Sequence, residues 1–91
     1  MPEDFLDNSD KNRFEYHVEE EIVFADYRKK GDHFFITHVE APQKLRGSGA
    51  AGKLMRQIMD KARQDHLKIT PLCGYAVAWI SRHKEYDDIV E

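Results

Sequence analysis

The hydrophobic pattern of this chain of 91 residues changes its period at Pro42. Before Pro42, three segments have the patterns of strands. Apolar side chains alternate with polar ones in Arg13 to Glu19, Ile22 to Arg28 is rich in β-branched and aromatic residues, and His33 to Glu40 divides into two faces. After Pro42 the apolar positions recur at helical spacing and form one stripe, which contains Ala51, Leu54, Met55, Ile58, Met59 and Ala62. The chain is therefore expected to pack a helix from about Ser48 to about His66 against a small sheet.

The remaining elements follow from shorter patterns. Short connections between the three strands, among them the turn at Lys29-Lys30-Gly31-Asp32, predict an antiparallel meander. Leu67 to Thr70 predicts a fourth strand and Tyr75 to His83 a second helix. The predicted fold class is α/β of the α+β type, a small and mainly antiparallel sheet with two main helices in the order β-β-β-α-β-α. Acidic and turn residues predict that 1–12 is a flexible N-terminal tail, which leaves 13–91 as a single domain.

Composition excludes several classes of protein. Hydrophobic residues make up 41% of the chain and charged residues 34%, an ordinary balance for a soluble protein. The net charge of −3 excludes a strongly basic nucleic-acid surface. The single cysteine, Cys73, excludes an internal disulfide, and no Cys/His pairs have the spacing of a zinc site. The longest apolar run, Ala76 to Ile80, is too short to cross a membrane, and Met1-Pro2-Glu3-Asp4 lacks the apolar stretch of a signal peptide. We expect a cytoplasmic protein with no metal, membrane or nucleic-acid partner.

A glycine-rich turn, Gln43 to Leu54, leads from the third strand into the long helix. The first N–H groups of a helix have no intrahelical acceptors and lie at the positive end of its dipole. Glycines let a phosphate approach the backbone closely, and Lys44 and Arg46 add positive charge. The turn therefore predicts a phosphate-binding site.

Two phosphate-binding motifs compete for this turn. Gly47 to Lys53 fits the first seven places of the nucleotide P-loop G-x-x-x-x-G-K, but the eighth place, normally Ser or Thr on Mg²⁺, is Leu54. A P-loop fold also needs a parallel sheet and a longer chain, so a nucleotide hydrolase is disfavoured.

The other motif fits completely. Arg46-Gly47-Ser48-Gly49-Ala50-Ala51 matches R-x-x-G-x-A, and it resembles the pyrophosphate loop of the GCN5-related N-acetyltransferases (GNAT). Pro71 to Ile80 and Arg82 to Tyr86 are similar to the Pro-x-Cys-x-Tyr-Ala segment and the Arg-His-Pro-Glu-Tyr end of the minimal, YjdJ-type branch of predicted acetyltransferases, with Lys84 in place of the usual proline. The resemblance covers about Phe14 to Val90 and implies a truncated acyl-CoA N-acyltransferase (GNAT-like) fold.

The resemblance implies acetyl-CoA as co-substrate and an N-acetyltransferase that moves the acetyl group to an amine, either a small amine or a protein lysine. It implies a pantetheine arm beside the main chain near Val39, a thioester near Cys73, and a pyrophosphate on the binding turn, which contains Arg46, Gly47, Ser48, Gly49, Ala50 and Ala51. The alternative is a non-catalytic CoA-binding or interaction module with the same fold. We expect a monomer or a weak homodimer.

Three side chains are candidates for catalysis. Cys73 precedes the second helix, where a thiolate is favoured, so it could relay the acetyl group or be a small buried hydrophobe. Tyr75 could protonate the departing thiolate, as a tyrosine does in many relatives, or be a tyrosine at the edge of the core. Glu40, with His38 beside it, could act as general base or be an outward polar residue. By alternation, His38 and Glu40 are expected on the same face as Phe34 and Ile36.

The acceptor site is the least constrained part of the prediction. Full-length relatives carry helices between their first strands that shape this site, whereas this chain has only Glu20-Glu21 there. An open acidic mouth would suit a cationic amine; its expected members are Glu15, Glu19, Glu20, Glu21 and Glu40.

Overall fold

The computed structural model describes residues 4–91 and has one sheet with two helices. The strands are β1 (Asp4–Asn8), β2 (Arg13–Val18), β3 (Glu21–Lys30), β4 (His33–Glu40) and β5 (Lys68–Pro71), and the helices are α1 (Ala50–Gln64) and α2 (Gly74–Ser81). Two 3₁₀ segments, Gln43–Leu45 and Lys84–Ile89, complete the described elements. No helix within the described residues is long and apolar enough to cross a membrane.

The sheet has the order β1-β2-β3-β4-β5. The first four strands are antiparallel, and β5 lies parallel to β4 because α1 crosses between them. The apolar stripe of α1 is buried against β2, β3 and β5, and α2 adds Ala76, Trp79 and Ile80 to the same core. The predicted fold class is confirmed. We call the sheet face opposite α1 the outer face.

Strand β1 corrects the prediction of a flexible tail. Asp4–Asn8 pairs with β2 from Asp4↔His17 to Asn8↔Arg13. The Phe5 ring stacks on Phe14 with centroids 5.8 Å apart, so the strand is held by packing as well as by its backbone ladder. The acidic residues of this segment do not favour a strand by themselves, so the sequence did not predict one. The strand is stabilised by its pairing with β2 rather than by local propensity. Residues 1–3 of the predicted tail lie outside the described residues.

A β-bulge in β4 changes which side chains face the core. Tyr27 pairs with Ile36 and Asp26 pairs with His38, so Thr37 is an extra residue in the ladder. Its hydroxyl donates a hydrogen bond to the Asp26 carbonyl, at 3.3 Å. An extra residue reverses the alternation that follows it.

The reversal corrects the predicted faces of β4. Ile36 is fully buried and Val39 packs against the core, whereas His38 and Glu40 are exposed. His38 and Glu40 therefore share the outer face with each other, and not the inner face with Phe34 and Ile36.

Strands β4 and β5 diverge directly after Ile36. β5 pairs only with His33–Ile36. The N–H groups of Leu72 and Cys73 then both donate to the Ile36 carbonyl, at 2.8 and 3.2 Å, and the chain turns into α2. Within the described residues, 37–40 therefore have no neighbouring strand on the β5 side. Because backbone polar groups need partners, this free edge can accept a ligand that pairs like a strand.

Candidate functional site

A cleft of about 460 Å³ opens where the free edge of β4 meets the start of α1 and the first turn of α2. Its walls come from three parts of the chain: the end of β4, the glycine-rich turn with the first turn of α1, and a tyrosine of α2. The lining residues are His38, Val39, Glu40, Ala41, Leu45, Arg46, Gly47, Gly49, Ala50, Ala51, Gly52 and Tyr75.

The glycine-rich turn needs glycine at two positions. Gly47 has φ of 82° and Gly49 φ of 88°, a backbone region that side chains disfavour. Gly49 is the N-cap of α1, and its carbonyl accepts the first helical hydrogen bond from the Lys53 N–H, at 3.0 Å. A Cβ added at Gly47 or Gly49 would meet nothing within 4 Å, so the hydrogen face of each glycine is open.

Ser48 stabilises the turn through hydrogen bonds and does not line the cleft. Its hydroxyl donates to the Leu45 carbonyl, at 2.5 Å, and accepts from the Ala50 N–H, at 3.3 Å. Its own N–H also donates to Leu45, at 3.1 Å. Ser48 is the one residue of the predicted cofactor-binding set that does not line the cleft, because its polar groups are used inside the turn.

The N-terminus of α1 presents unpaired donors to the cleft. Within the described residues, the N–H groups of Gly47, Gly49, Ala51 and Gly52 have no hydrogen-bond acceptor. The last three lie at the positive end of the helix dipole. Arg46 adds a guanidinium to the wall, and its Nε donates to the Ala41 carbonyl at 3.3 Å. Together these groups can bind an anion.

Tyr75 reaches from α2 to the first turn of α1. A Cβ added at Gly52 would lie 3.8 Å from the Tyr75 hydroxyl and 3.4 Å from Trp79 Nε1. Burial raises the pKa of the Tyr75 phenol above its ordinary value of 10.0; Arg82 opposes the rise and Cys73 adds to it. The phenol is therefore protonated at neutral pH and can donate a proton or hydrogen bond inside the cleft.

Gly52 is a lining residue that the sequence analysis missed as part of the site. It lies in the P-loop-like run Gly47 to Lys53, where it counted only toward a motif that the chain does not complete. The available signal was a glycine at the third position of a helix, where alanine is normally favoured by about 1 kcal/mol. A Cβ at Gly52 would be in ordinary van der Waals contact with the Tyr75 hydroxyl and the Trp79 ring, so Gly52 lies directly beside both side chains.

His38 and Glu40 form a pair on the wall that β4 contributes to the cleft. His38 Nε2 lies 2.9 Å from Glu40 Oε1, and both side chains are about half exposed. The bulge at Thr37 places the two side chains on one face of β4, two residues apart. Such a pair can take up a proton from a group that enters the cleft.

Cys73 is not one of the residues that line the cleft. It is the N-cap of α2, it is partly buried, and it packs against the core. Its main-chain N–H donates to Ile36, and the residue is absent from the walls of the cleft. The structure thus brings Glu40 and Tyr75 together with the glycine-rich turn, while Cys73 stays outside the lining, although its side chain is near enough to Tyr75 to contribute to the raised pKa of the phenol.

The predicted acidic mouth is wrong for Glu15. Only 5% of this residue is exposed, and its carboxylate binds Asn8 Nδ2 at 3.1 Å, Arg13 Nε at 2.8 Å and His17 Nε2 at 2.8 Å. Burial alone would raise the pKa of this carboxyl, but the hydrogen bonds from His17, Arg13 and Asn8 outweigh it and lower the pKa from 4.5 to about 2. Glu15 is therefore an ionised carboxylate whose hydrogen bonds stabilise the outer face of the sheet, and it is not exposed to an acceptor.

Glu15→Gln is expected to lower the free energy of unfolding at pH 7 by about 1–3 kcal/mol, because charged hydrogen bonds are lost in a buried place. The folded pKa of Glu15 lies below the unfolded value of 4.5. Its contribution is therefore complete above pH 4.5 and is lost as the pH falls toward 2. Urea unfolding at pH 7, 5 and 3.5 checks this. A difference between variant and wild type that grows toward low pH would contradict it.

Comparisons with known proteins agree with this geometry. A family profile described as GCN5-related N-acetyl-transferase matches residues 13–89. The NMR solution structure of a GCN5-like protein from Staphylococcus aureus superposes with a TM-score of 0.71, at 22% sequence identity, over 97% of this chain and 87% of that one. At this identity the superposition supports the fold alone. No curated protein sequence matches the chain significantly.

The family match spans the whole described sheet except β1, together with both helices and the cleft between them. It agrees with the resemblance carried by the Arg46 to Ala51 motif. The chain belongs to the GCN5-related N-acetyltransferase family and is an N-acetyltransferase.

Proposed function

We propose that the cleft binds acetyl-CoA and that the protein transfers the acetyl group from it to an amine. The observation that carries this proposal is that four unpaired N–H groups of the glycine-rich turn and the first turn of α1 border the same cleft as the free edge of β4. Unpaired N–H groups at a helix N-terminus can bind a diphosphate. The free edge of a strand can pair with the amides of an extended arm.

The residues present fit this ligand. The N–H groups of Gly47, Gly49, Ala51 and Gly52 would bind the pyrophosphate oxygens, and Arg46 would add charge. No side chain obstructs the approach at Gly47 or Gly49. The main chain near Val39, on the free edge of β4, would pair with the pantetheine amides.

Three side chains would move the protons of the transfer: the paired Glu40 and His38, and Tyr75. As the amine nitrogen bonds to the acetyl carbon, its proton passes to the Glu40–His38 pair, directly or through water. As the carbon–sulfur bond breaks, the departing thiolate takes the phenol proton of Tyr75. Tyr75 suits this role because its raised pKa keeps it protonated at neutral pH. The products are an N-acetyl amine and CoA with a free thiol.

We favour direct transfer over a relay through Cys73. A relay needs the Cys73 sulfur at the thioester carbon, but this residue packs against the core and does not line the cleft. Its contribution would then be positional, since its N–H and that of Leu72 together hold the point where β4 and β5 separate.

The short strand connections favour the minimal, YjdJ-type branch. No helix interrupts β1 to β4 in the described residues, so the outer face carries no helical cover there. The acceptor would approach an open surface.

Incubation with acetyl-CoA tests the proposal. Acetyl-CoA and CoA are each expected to raise the melting temperature, whereas ATP with Mg²⁺ is not. No shift with millimolar acetyl-CoA would overturn acetyl-CoA as the ligand. Mass spectrometry of the same incubation is expected to show an unmodified Cys73 peptide. An acetylated Cys73 that disappears in Cys73→Ala would replace direct transfer by the relay.

A further inference from the structure

We propose that Phe24 is a positioning residue for the Glu40–His38 pair, and that its ring fixes the orientation of the His38 imidazole. The inference rests on the proposed role of that pair as proton acceptor in the acetyl transfer. Phe24 does not line the cleft, so it would act on the reaction through His38 and not by contact with acetyl-CoA.

Phe24 lies beside the pair on the outer face of the sheet. In the β3–β4 ladder it is directly opposite Glu40, and His38 is two residues from Glu40 on the same face. Residues opposite each other in an antiparallel ladder have Cβ atoms about 5 Å apart. Because Val23 and Ala25 are fully buried in the core, Phe24 between them points outward, toward the side that carries the pair.

The His38 side chain has few other constraints. Within residues 4–91 it has one hydrogen bond, to Glu40 at 2.9 Å, and one ring contact, with Phe24, whose centroid is 6.3 Å away at an interplanar angle of 56°. Tilted rings at this separation attract each other. The bond to Glu40 joins two half-exposed side chains, and such exposed pairs contribute little on their own. The ring contact is therefore what ties the imidazole to the sheet.

The Phe24 ring is itself held in place. The Arg13 guanidinium lies over it, with Cζ 4.5 Å from the ring centroid, and this cation–π contact favours one ring position. Arg13 Nε donates at 2.8 Å to the buried carboxylate of Glu15. A continuous series of contacts thus runs from a buried ionic cluster through Phe24 to His38.

This series of contacts matters for the proton transfer. A general base must lie within hydrogen-bond reach of the proton that it accepts, and a displacement of about 1 Å can cost up to about 100-fold in rate. Loss of the Phe24 ring should therefore lower kcat. It should leave the binding of acetyl-CoA unchanged, because the glycine-rich turn and the free edge of β4 do not depend on this ring.

Phe24→Leu tests the effect on His38 without any acceptor. Leucine keeps an apolar side chain at this position and removes the flat ring that His38 and Arg13 contact. Three-bond NMR couplings in the full chain are expected to show one χ1 rotamer of His38 in the wild type and an average over several in Phe24→Leu. Phe24→Tyr keeps the ring and is expected to keep the single rotamer.

Phe35→Leu is the matched control. Phe35 lies on the outer face between the buried Phe34 and Ile36, and its ring stacks on His33 with centroids 4.2 Å apart. Neither Phe35 nor His33 lines the cleft. The control removes an aromatic contact with a histidine of the same strand, and it is expected to keep the single His38 rotamer and the wild-type kcat.

Kinetics with 2-phenylethylamine and with spermidine test the effect on the reaction. The acetyl group forms a C–N bond as the C–S bond breaks, so the CoA thiol and the N-acetyl product must appear in equal amounts. We expect Phe24→Leu to lower kcat about tenfold at an unchanged KM for acetyl-CoA, and Phe24→Tyr to keep the wild-type kcat. In a His38→Gln background, Phe24→Leu is expected to have no further effect, because its partner is already absent.

Three results would overturn the role of Phe24. The first is a single His38 rotamer that persists in Phe24→Leu. The second is a tenfold loss of kcat that Phe24→Leu also causes in the His38→Gln background. The third is a change in the KM for the amine alone, which would make Phe24 part of an acceptor site.

Failure of the proposed function would give a different result. The melting-temperature rise with acetyl-CoA should be the same in the wild type and in all of these variants. Its absence from the wild type would overturn acetyl-CoA as the ligand, whatever the His38 rotamers are. If acetyl-CoA binds but neither amine is acetylated, transfer to these amines is wrong, and the rotamers alone decide whether Phe24 orients His38.

Discussion

Gly49→Ala is expected to weaken acetyl-CoA binding tenfold or more, while the free energy of unfolding falls by only about 1–2 kcal/mol. The added Cβ would project into the open space beside the unpaired N–H groups, where a pyrophosphate must approach the backbone. Titration calorimetry with acetyl-CoA and urea unfolding measure the two effects separately.

Gly31→Ala is the matched control. Gly31 also has positive φ, 62°, and an added Cβ there also meets nothing within 4 Å, but it lies in the β3–β4 turn and does not line the cleft. The two variants should lose similar stability, and only Gly49→Ala should lose affinity. Equal losses of affinity would mean that the binding site is not at the glycine-rich turn.

Tyr75→Phe is expected to lower kcat about 100-fold, the usual contribution of a general acid, with little change in the affinity for acetyl-CoA. The phenylalanine keeps the packing over Gly52 and removes only the proton donor. Because burial raises the pKa of Tyr75 above 10.0, the phenol of the wild type stays protonated across the neutral range. Ionisation of Tyr75 should therefore cause no loss of kcat until the pH exceeds 10.0.

Tyr86→Phe controls for the removal of a tyrosine hydroxyl in general. The Tyr86 hydroxyl donates to Asp60, at 2.5 Å, and accepts from Arg56, and Tyr86 does not line the cleft. This variant should lose stability and keep kcat. A wild-type kcat in Tyr75→Phe would remove Tyr75 from the proton transfer.

Much of the fold was predictable because its signals are local. The strand periods, the helical stripe of α1 and the glycines at the start of α1 each occupy one continuous segment. Most of the binding turn could be identified for the same reason, since the N-terminus of a helix needs no distant residue to present its N–H groups.

Three features escaped prediction because their causes are not local. β1 forms through its ladder with β2 although its own residues are mostly acidic or turn-forming. Glu15 is buried because Asn8, Arg13 and His17 come together around it. The bulge at Thr37 shows in the sequence only as a shift of phase, from Ile36 to Val39, and the apolar run from Phe34 to Ile36 before it hides that shift.

That bulge also determines how the site responds to different kinds of mutation. Before Thr37 the even-numbered residues of β4 face the core, and after Thr37 the odd-numbered residue Val39 does. This change depends on the single extra residue between Ile36 and His38. Substitution at His38 or Glu40 would change the chemistry of the site and leave its geometry alone. Loss of one residue at this point would instead turn both polar side chains toward the core and bring Val39 out. In this strand the number of residues, and not only their identity, therefore determines where the proposed proton acceptor lies.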